Sequence, residues 1–231
     1  MDAALHALVL ATACFVLGHF ILSSVAVRRP LIARLGDNGF RATYSIAVTA
    51  AFAWMLYAYG TAPHVPVLHW PVWTRWLPVL AMPFALLLAV CAFTTRNVTA
   101  VGGEGQAALA DPTPGIMRIT RHPFLVGVAL WAAAHLLTNG DAASLVLFGG
   151  LLLLAVGGSL HIDRRRAAAM GSDWGPIALT TSAVPFAAIL TGRTRPDWPG
   201  IGLWRVALAL GLYVLLLVLH QPLFGVSPFP A

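Results

Sequence analysis

The stretch Ser144 to His161 reads SLVLFGGLLLLAVGGSLH, eighteen residues without a charge, and is followed at once by IDRRR, Ile162 to Arg166. An α-helix rises about 1.5 Å per residue, so a run of this length crosses most of a hydrocarbon layer roughly 30 Å thick. Arginines just beyond its end mark the side of the membrane on which that end remains. Working outward, five further apolar runs stand at about Ala4 to Val27, Ala42 to Tyr59, Trp76 to Phe93, Pro123 to Thr138 and Ile201 to His220. Composition points the same way. Of the 231 residues 59% are hydrophobic and 10% charged, and the mean hydropathy is +0.81, where a soluble domain carries about 25% charged residues. The expected fold class is all-α: a polytopic bundle of about six transmembrane helices, a single domain over residues 1–231, with the lipid bilayer as its main partner.

Loop charge sets the orientation, because short arginine-rich loops stay in the cytoplasm. The first loop holds Arg28, Arg29, Arg34 and Arg41, the third Arg96, Arg118 and Arg121, and the fifth Arg164, Arg165, Arg166, Arg193 and Arg195. The second holds only Arg75, and the fourth, NGD at Asn139 to Asp141, has none. Both termini are therefore expected to face the outside or periplasm. Trp70, Trp73 and Trp76 cluster at an expected outer interface, where amphipathic rings are favoured. The N-terminal run lacks a basic region before it and is too long for a signal peptide, so it reads as a retained first helix. A weaker stretch, Ile177 to Leu190, contains Pro185 and is too short for an ordinary span, so it is expected to lie at the interface or to re-enter. The long third loop, rich in Gly and Pro, is expected to be extended or turned in its middle until Pro123 opens the next helix.

A net charge of +6 raises nucleic-acid binding, but the fourteen basic residues are scattered among loops and form no stripe with interleaved aromatics, which excludes it. Cys14 and Cys91 each sit inside an apolar run and match no disulfide or zinc spacing. Phosphate-cradling Gly-Lys, His-Glu-x-x-His, Cys-x-x-Cys-His and Gly-x-Ser-x-Gly motifs are all missing. None of the eight carboxylates falls deep within a run, so a carboxylate proton relay across the bilayer is not expected.

Two histidines are buried in apolar sequence, His19 in the first run and His135 in the fourth. An ionisable side chain at that depth is costly and usually faces the bundle interior, where imidazole is a good ligand for haem iron; the alternative is a histidine satisfied by one interhelical hydrogen bond. Counting residues from opposite membrane faces puts the two roughly 13 Å apart along the membrane normal at about 1.5 Å per residue, far for two ligands of one iron. On depth, His161 or His122 can stand in for His135, and His6 or His220 for His19. Ala132 and Gly127 lie one and two turns before His135 and leave a smooth face, suited to a flat macrocycle or to plain helix packing. RITRHP, Arg118 to Pro123, and HIDRRR, His161 to Arg166, fall at the same cytoplasmic face. There Arg121 and His122 suit an anion such as a haem propionate; alternatively the arginines set topology and Asp163 neutralises one of them.

Four segments together carry a family likeness: GHFILSSVAVRRPLIARLGDNGFRATYSI (18–46), GIMRITRHPFLVGVALWAAAHLLTNGD (115–141), DRRRAAAMGSDW (163–174) and LHQPLFGVSPFP (219–230). The chain resembles the NnrU family of bacterial membrane proteins, most specifically through Arg121, His122, Pro123, Gly127, Trp131, His135, Asn139 and Gly140. The resemblance implies an association with nitrite and nitric oxide metabolism in denitrifiers. Through the related 15-cis-zeta-carotene isomerases it also implies haem b, held by the histidines that match His19 and His135, and isomerisation of a carotenoid-like polyene. Ala132 stands where those isomerases carry the cysteine of a Cys-x-x-His segment, which removes one alternative axial ligand. A non-catalytic assembly or regulatory factor for denitrification enzymes is the competing expectation. A more distant similarity, through Arg-His-Pro, is to isoprenylcysteine carboxyl methyltransferases.

Overall fold

The computed structural model describes residues 2–100, 103, 105, 109 and 111–229, and these are all-helical with one isolated β-bridge, Pro66 to Asp141. Much of the middle of the third loop, and with it Glu104, lies outside the described residues. The chain falls into two compact units, Met1–Pro71 with His135–Leu154, and Val72–Ala134 with Ala155–Ala231.

Four segments among the described residues are long and apolar enough to cross a membrane: Ala3–Ser23, Val72–Thr94, Ala142–Thr180 and Leu203–Phe224. The chain is thus a multi-pass membrane protein. The expected fourth run forms a shorter apolar helix, α5 (Pro123–Leu136), and the second lies within α2 (Val25–Thr61). Residues Ile177 to Leu190 form no span of their own. They divide between the ends of α7 (Trp174–Thr180) and α8 (Ala187–Leu190), separated by non-helical backbone that includes Phe186 at φ +64°.

In the first unit α1 (Ala3–Ser23) begins at Asp2, whose carboxylate accepts the Ala4 N–H at 2.9 Å. Ser24 is extended and turns the chain into α2, which is broken at Gly36. With φ 71° and ψ 167° this residue occupies a region open essentially to glycine alone, and the helix bends into an elbow there. Ring contacts pair Phe15 with Phe52 and His19 with Tyr44, so the arm after the elbow runs antiparallel to α1. The NGD turn then docks on the loop following α2. Val67 and Leu68 donate their N–H groups to the Gly140 carbonyl, both at 2.8 Å, and a Cβ on Gly140 would run into the Leu68 backbone. Asp141 accepts the Ser144 N–H at 3.0 Å and caps the start of α6 (Ala142–Met170). Further on, Gly150 packs against the Thr12 methyl with no room for a Cβ, so α1 and α6 touch at that level.

In the second unit α3 (Trp76–Thr94) and α10 (Leu203–Phe224) pack side by side. Pro83 cannot donate to the Val79 carbonyl one turn before it, and Tyr213 supplies the missing donor at 2.9 Å. At the end of α3, Arg205 grips the Thr94 hydroxyl at 2.7 Å and the Thr94 carbonyl at 2.8 Å, a cation on the negative end of the helix. Beyond α3 the third loop is not a loose connection. Val98, with Ile116, Met117 and Ile119 around α4 (Ile116–Ile119), buries against Cys91, Trp174, Ile177 and Ile201, the last from α9 (Trp198–Ile201). Asp197 ties this cap together, accepting the Gly115 N–H at 2.7 Å and the Gly200 N–H at 3.0 Å. Gly115 has φ 56°, and a Cβ there would lie 2.6 Å from the Gly200 backbone. These contacts hold its carboxyl below the usual carboxylate range, chiefly through the Gly115 N–H.

Candidate functional site

Arg121 and His122 stand just before α5, at the corner where Pro123 starts the helix. Asp163, near the far end of α6, meets both. Arg121 Nε lies 2.9 and 3.0 Å from its two oxygens and Nη2 lies 2.5 Å from Oδ2, while His122 Nε2 donates to Oδ1 at 2.8 Å. The third donor of Arg121, Nη1, bonds the Thr181 carbonyl at 3.2 Å, and its guanidinium lies over the Trp174 ring at 5.7 Å. The His122 side chain is 1% exposed, against 14% and 17% for Arg121 and Asp163. An anion approaching this cluster meets an arginine fork already filled by a carboxylate, and an imidazole it cannot reach without displacing Asp163.

The backbone around the cluster is equally committed. Thr99 donates to the Arg121 carbonyl at 2.8 Å, the Arg121 N–H donates to Ser182 at 2.9 Å, and Thr120 donates to Ala183 at 3.1 Å. Three residues after Asp163 on the same helix face, Arg166 is 2% exposed and donates to the Thr99 carbonyl at 3.3 Å and to that of Ala100. Sequence reading placed RITRHP and HIDRRR at one face, and the structure joins them by hydrogen bonds. Burial of Arg166 was missed. Its only sequence signal is the spacing of three from Asp163, which puts both on one side of a helix.

His19 and His135 belong to the first unit. Nδ1 of His19 lies 2.8 Å from the Phe15 carbonyl, which only accepts, so Nδ1 carries the proton and Nε2 is the nitrogen with a lone pair. This is how a ligating histidine is usually held. The ring packs edge-on to Phe15 at 4.6 Å and to Tyr44 at 6.0 Å. His135 stacks on Phe148 at 5.1 Å, and its carbonyl accepts from Asn139 at 3.0 Å.

Register separates the two rings. Because NGD fixes the start of α6 beside the end of α2, α6 runs parallel to α1 and touches it where Thr12 meets Gly150. His19 lies seven residues beyond that contact and Phe148 two before it, roughly 13 Å apart along the helices at about 1.5 Å per residue. Two ligands of one metal ion stand about 4 Å apart, twice a metal–imidazole bond of about 2 Å. Counted by backbone rise alone that offset exceeds this spacing, and His19 presents the lone pair of Nε2 to a ligand. Among the described residues no three His, Cys, Asp or Glu side chains gather into a metal site.

The NnrU protein family matches residues 7–228. Over part of its length the chain is similar to the chloroplastic 15-cis-zeta-carotene isomerase of Arabidopsis thaliana, 44% identical over 100 residues, 43% of this chain and 27% of that one. The chloroplastic isomerase of the same name from Zea mays is 35% identical over 102 residues, 44% of this chain and 28% of that one. The chain thus spans little more than a quarter of the length of the curated relatives it matches. No solved structure matches it.

Proposed function

This chain belongs to the NnrU protein family, and from that premise we propose that it is a bacterial inner-membrane, isomerase-like protein acting on a long cis polyene with haem b as cofactor. The observation that carries this reading is His19, whose Nδ1–H is spent on the Phe15 carbonyl, leaving Nε2 to act on a ligand in an aromatic, half-buried setting. His19 would hold the haem, which when bound would supply electronic activation of a polyene or capture of nitric oxide. Phe15 fixes the imidazole by its carbonyl and its ring, and Tyr44 closes the other side. His135 belongs to this reading as a residue acting separately from His19, at the Phe148 end of the unit. Arg121 and His122 support the fold and do not touch the cofactor, since Asp163 occupies their donors.

The resemblance to two plant relatives, each called a 15-cis-zeta-carotene isomerase, supports this choice of substrate class. The experiment is chromatographic. Purified protein loaded with haem is incubated with a 15-cis polyene, and conversion to the trans isomer is followed beside His19→Ala. Conversion that depends on His19 supports the proposal; haem-loaded protein that converts nothing removes the isomerase activity.

A further inference from the structure

The Gly36 elbow of α2 encloses an apolar groove of about 50 Å³ beside the end of α1. Leu31 and Leu35 line it from the arm before the elbow, Phe40, Thr43 and Tyr44 from the arm after, and Leu22 from α1. The Thr43 hydroxyl is turned away from it, donating to the Gly39 carbonyl at 2.9 Å. The groove opens outward, as Leu35 is 47% exposed.

Arg28 stands at its edge. Arg28, Arg29, Arg34 and Arg41 flank it in sequence, and Asp37 is the one carboxylate between Ser24 and Thr61. The Arg28 guanidinium lies over the Phe40 ring, 5.4 Å from its centre, which places charge at the mouth of the groove. Its pairing with Asp37 is loose, 3.9 Å with the Asp37 side chain 63% exposed, and such pairs contribute little. Apolar walls beneath an arginine match a molecule with an alkyl chain and a negatively charged head. We propose that the elbow of α2 is a binding site for an anionic phospholipid, a short length of its acyl chain entering the groove between Leu31, Phe40 and Tyr44 and its phosphate meeting Arg28. Tyr44 borders both this groove and the His19 ring, so the two readings share that residue, and the test below is read by lipid headgroup charge and not by haem.

The test uses the full chain in neutral detergent with dioleoyl phosphatidylglycerol and dioleoyl phosphatidylcholine, identical in their chains, and native mass spectrometry to count the lipid retained. The wild type retains phosphatidylglycerol several times better than phosphatidylcholine. Arg28→Gln lowers retention of phosphatidylglycerol about fivefold, the worth of one basic residue near an anionic headgroup, and leaves phosphatidylcholine unchanged. Thr43→Trp, which fills the groove, lowers retention of both lipids, and Ala47→Leu does the same to a smaller extent should the tryptophan variant not fold. Equal retention of the two lipids by the wild type overturns the proposal. So does displacement of phosphatidylglycerol by an uncharged polyene, which would assign the groove to a hydrocarbon substrate.

Discussion

The two units treat buried polar side chains in opposite ways. In the second, Arg121, His122 and Asp163 satisfy one another, and the Thr181 carbonyl accepts from Nη1 of Arg121. In the first, His19 spends one ring nitrogen on its own helix and keeps the other in an aromatic setting. Each set holds a histidine that the sequence alone offers as a ligand. The difference is in who answers each group. A side chain whose donors are all met by protein holds the fold, while one held by a single nitrogen is set up to act on something else.

The sharpest way to break this comparison is to remove the shared carboxylate. Asp163→Ala leaves Arg121 and His122 charged or polar without their partner in a poorly solvated site, a loss of about 3–5 kcal/mol. Thermal unfolding of the detergent-solubilised protein reads it, and a change within about 1 kcal/mol would mean that water already satisfies the cluster. His19→Ala should cost less than Asp163→Ala, about 1–2 kcal/mol, since one hydrogen bond and the edge contacts to Phe15 and Tyr44 are lost; a loss of about 3 kcal/mol or more would make His19 a structural residue like His122. Tyr213→Phe sharpens the point inside a span: the Val79 carbonyl, already deprived of a donor by Pro83, loses its substitute. Hydrogen bonds of this kind in membranes are worth about 0.6 kcal/mol on average, so a loss near that size is expected by the same assay. Smallest is a pH effect at Asp197. Its folded carboxyl is held below the ordinary range by the Gly115 and Gly200 N–H groups, so its contribution to stability is present above the unfolded carboxylate range near about 3.9 and is lost as pH falls through the folded value. Unfolding midpoints between about pH 5 and pH 2 should fall less steeply in Asp197→Asn than in the wild type; parallel slopes would show that the carboxylate is unperturbed.

Much of this was legible because it is local. Apolar runs announced the spans, and the arginines of RITRHP and HIDRRR announced a common face, where the structure pairs Arg121 with Asp163. What escaped depends on distant partners. Nothing in the third loop's composition says that Val98 and Ile119 will bury against Trp174 and Ile201. Ile177 to Leu190 announced only that it was too short to span; that it lies against Arg121, with Ser182 and Ala183 taking hydrogen bonds from Arg121 and Thr120, is tertiary. The elbow at Gly36 had a sequence hint in GDNG, Gly36 to Gly39, but the groove it makes needs Leu22 of α1.

The visible absorption spectrum of the full chain, purified from haem-replete cells and then reduced with dithionite, tests the central claim most directly. Wild type and His135→Ala should both show a haem Soret band, and His19→Ala should lose it while remaining folded. A wild type without haem even after reconstitution, or a His19→Ala variant with its Soret band unchanged, would contradict the account.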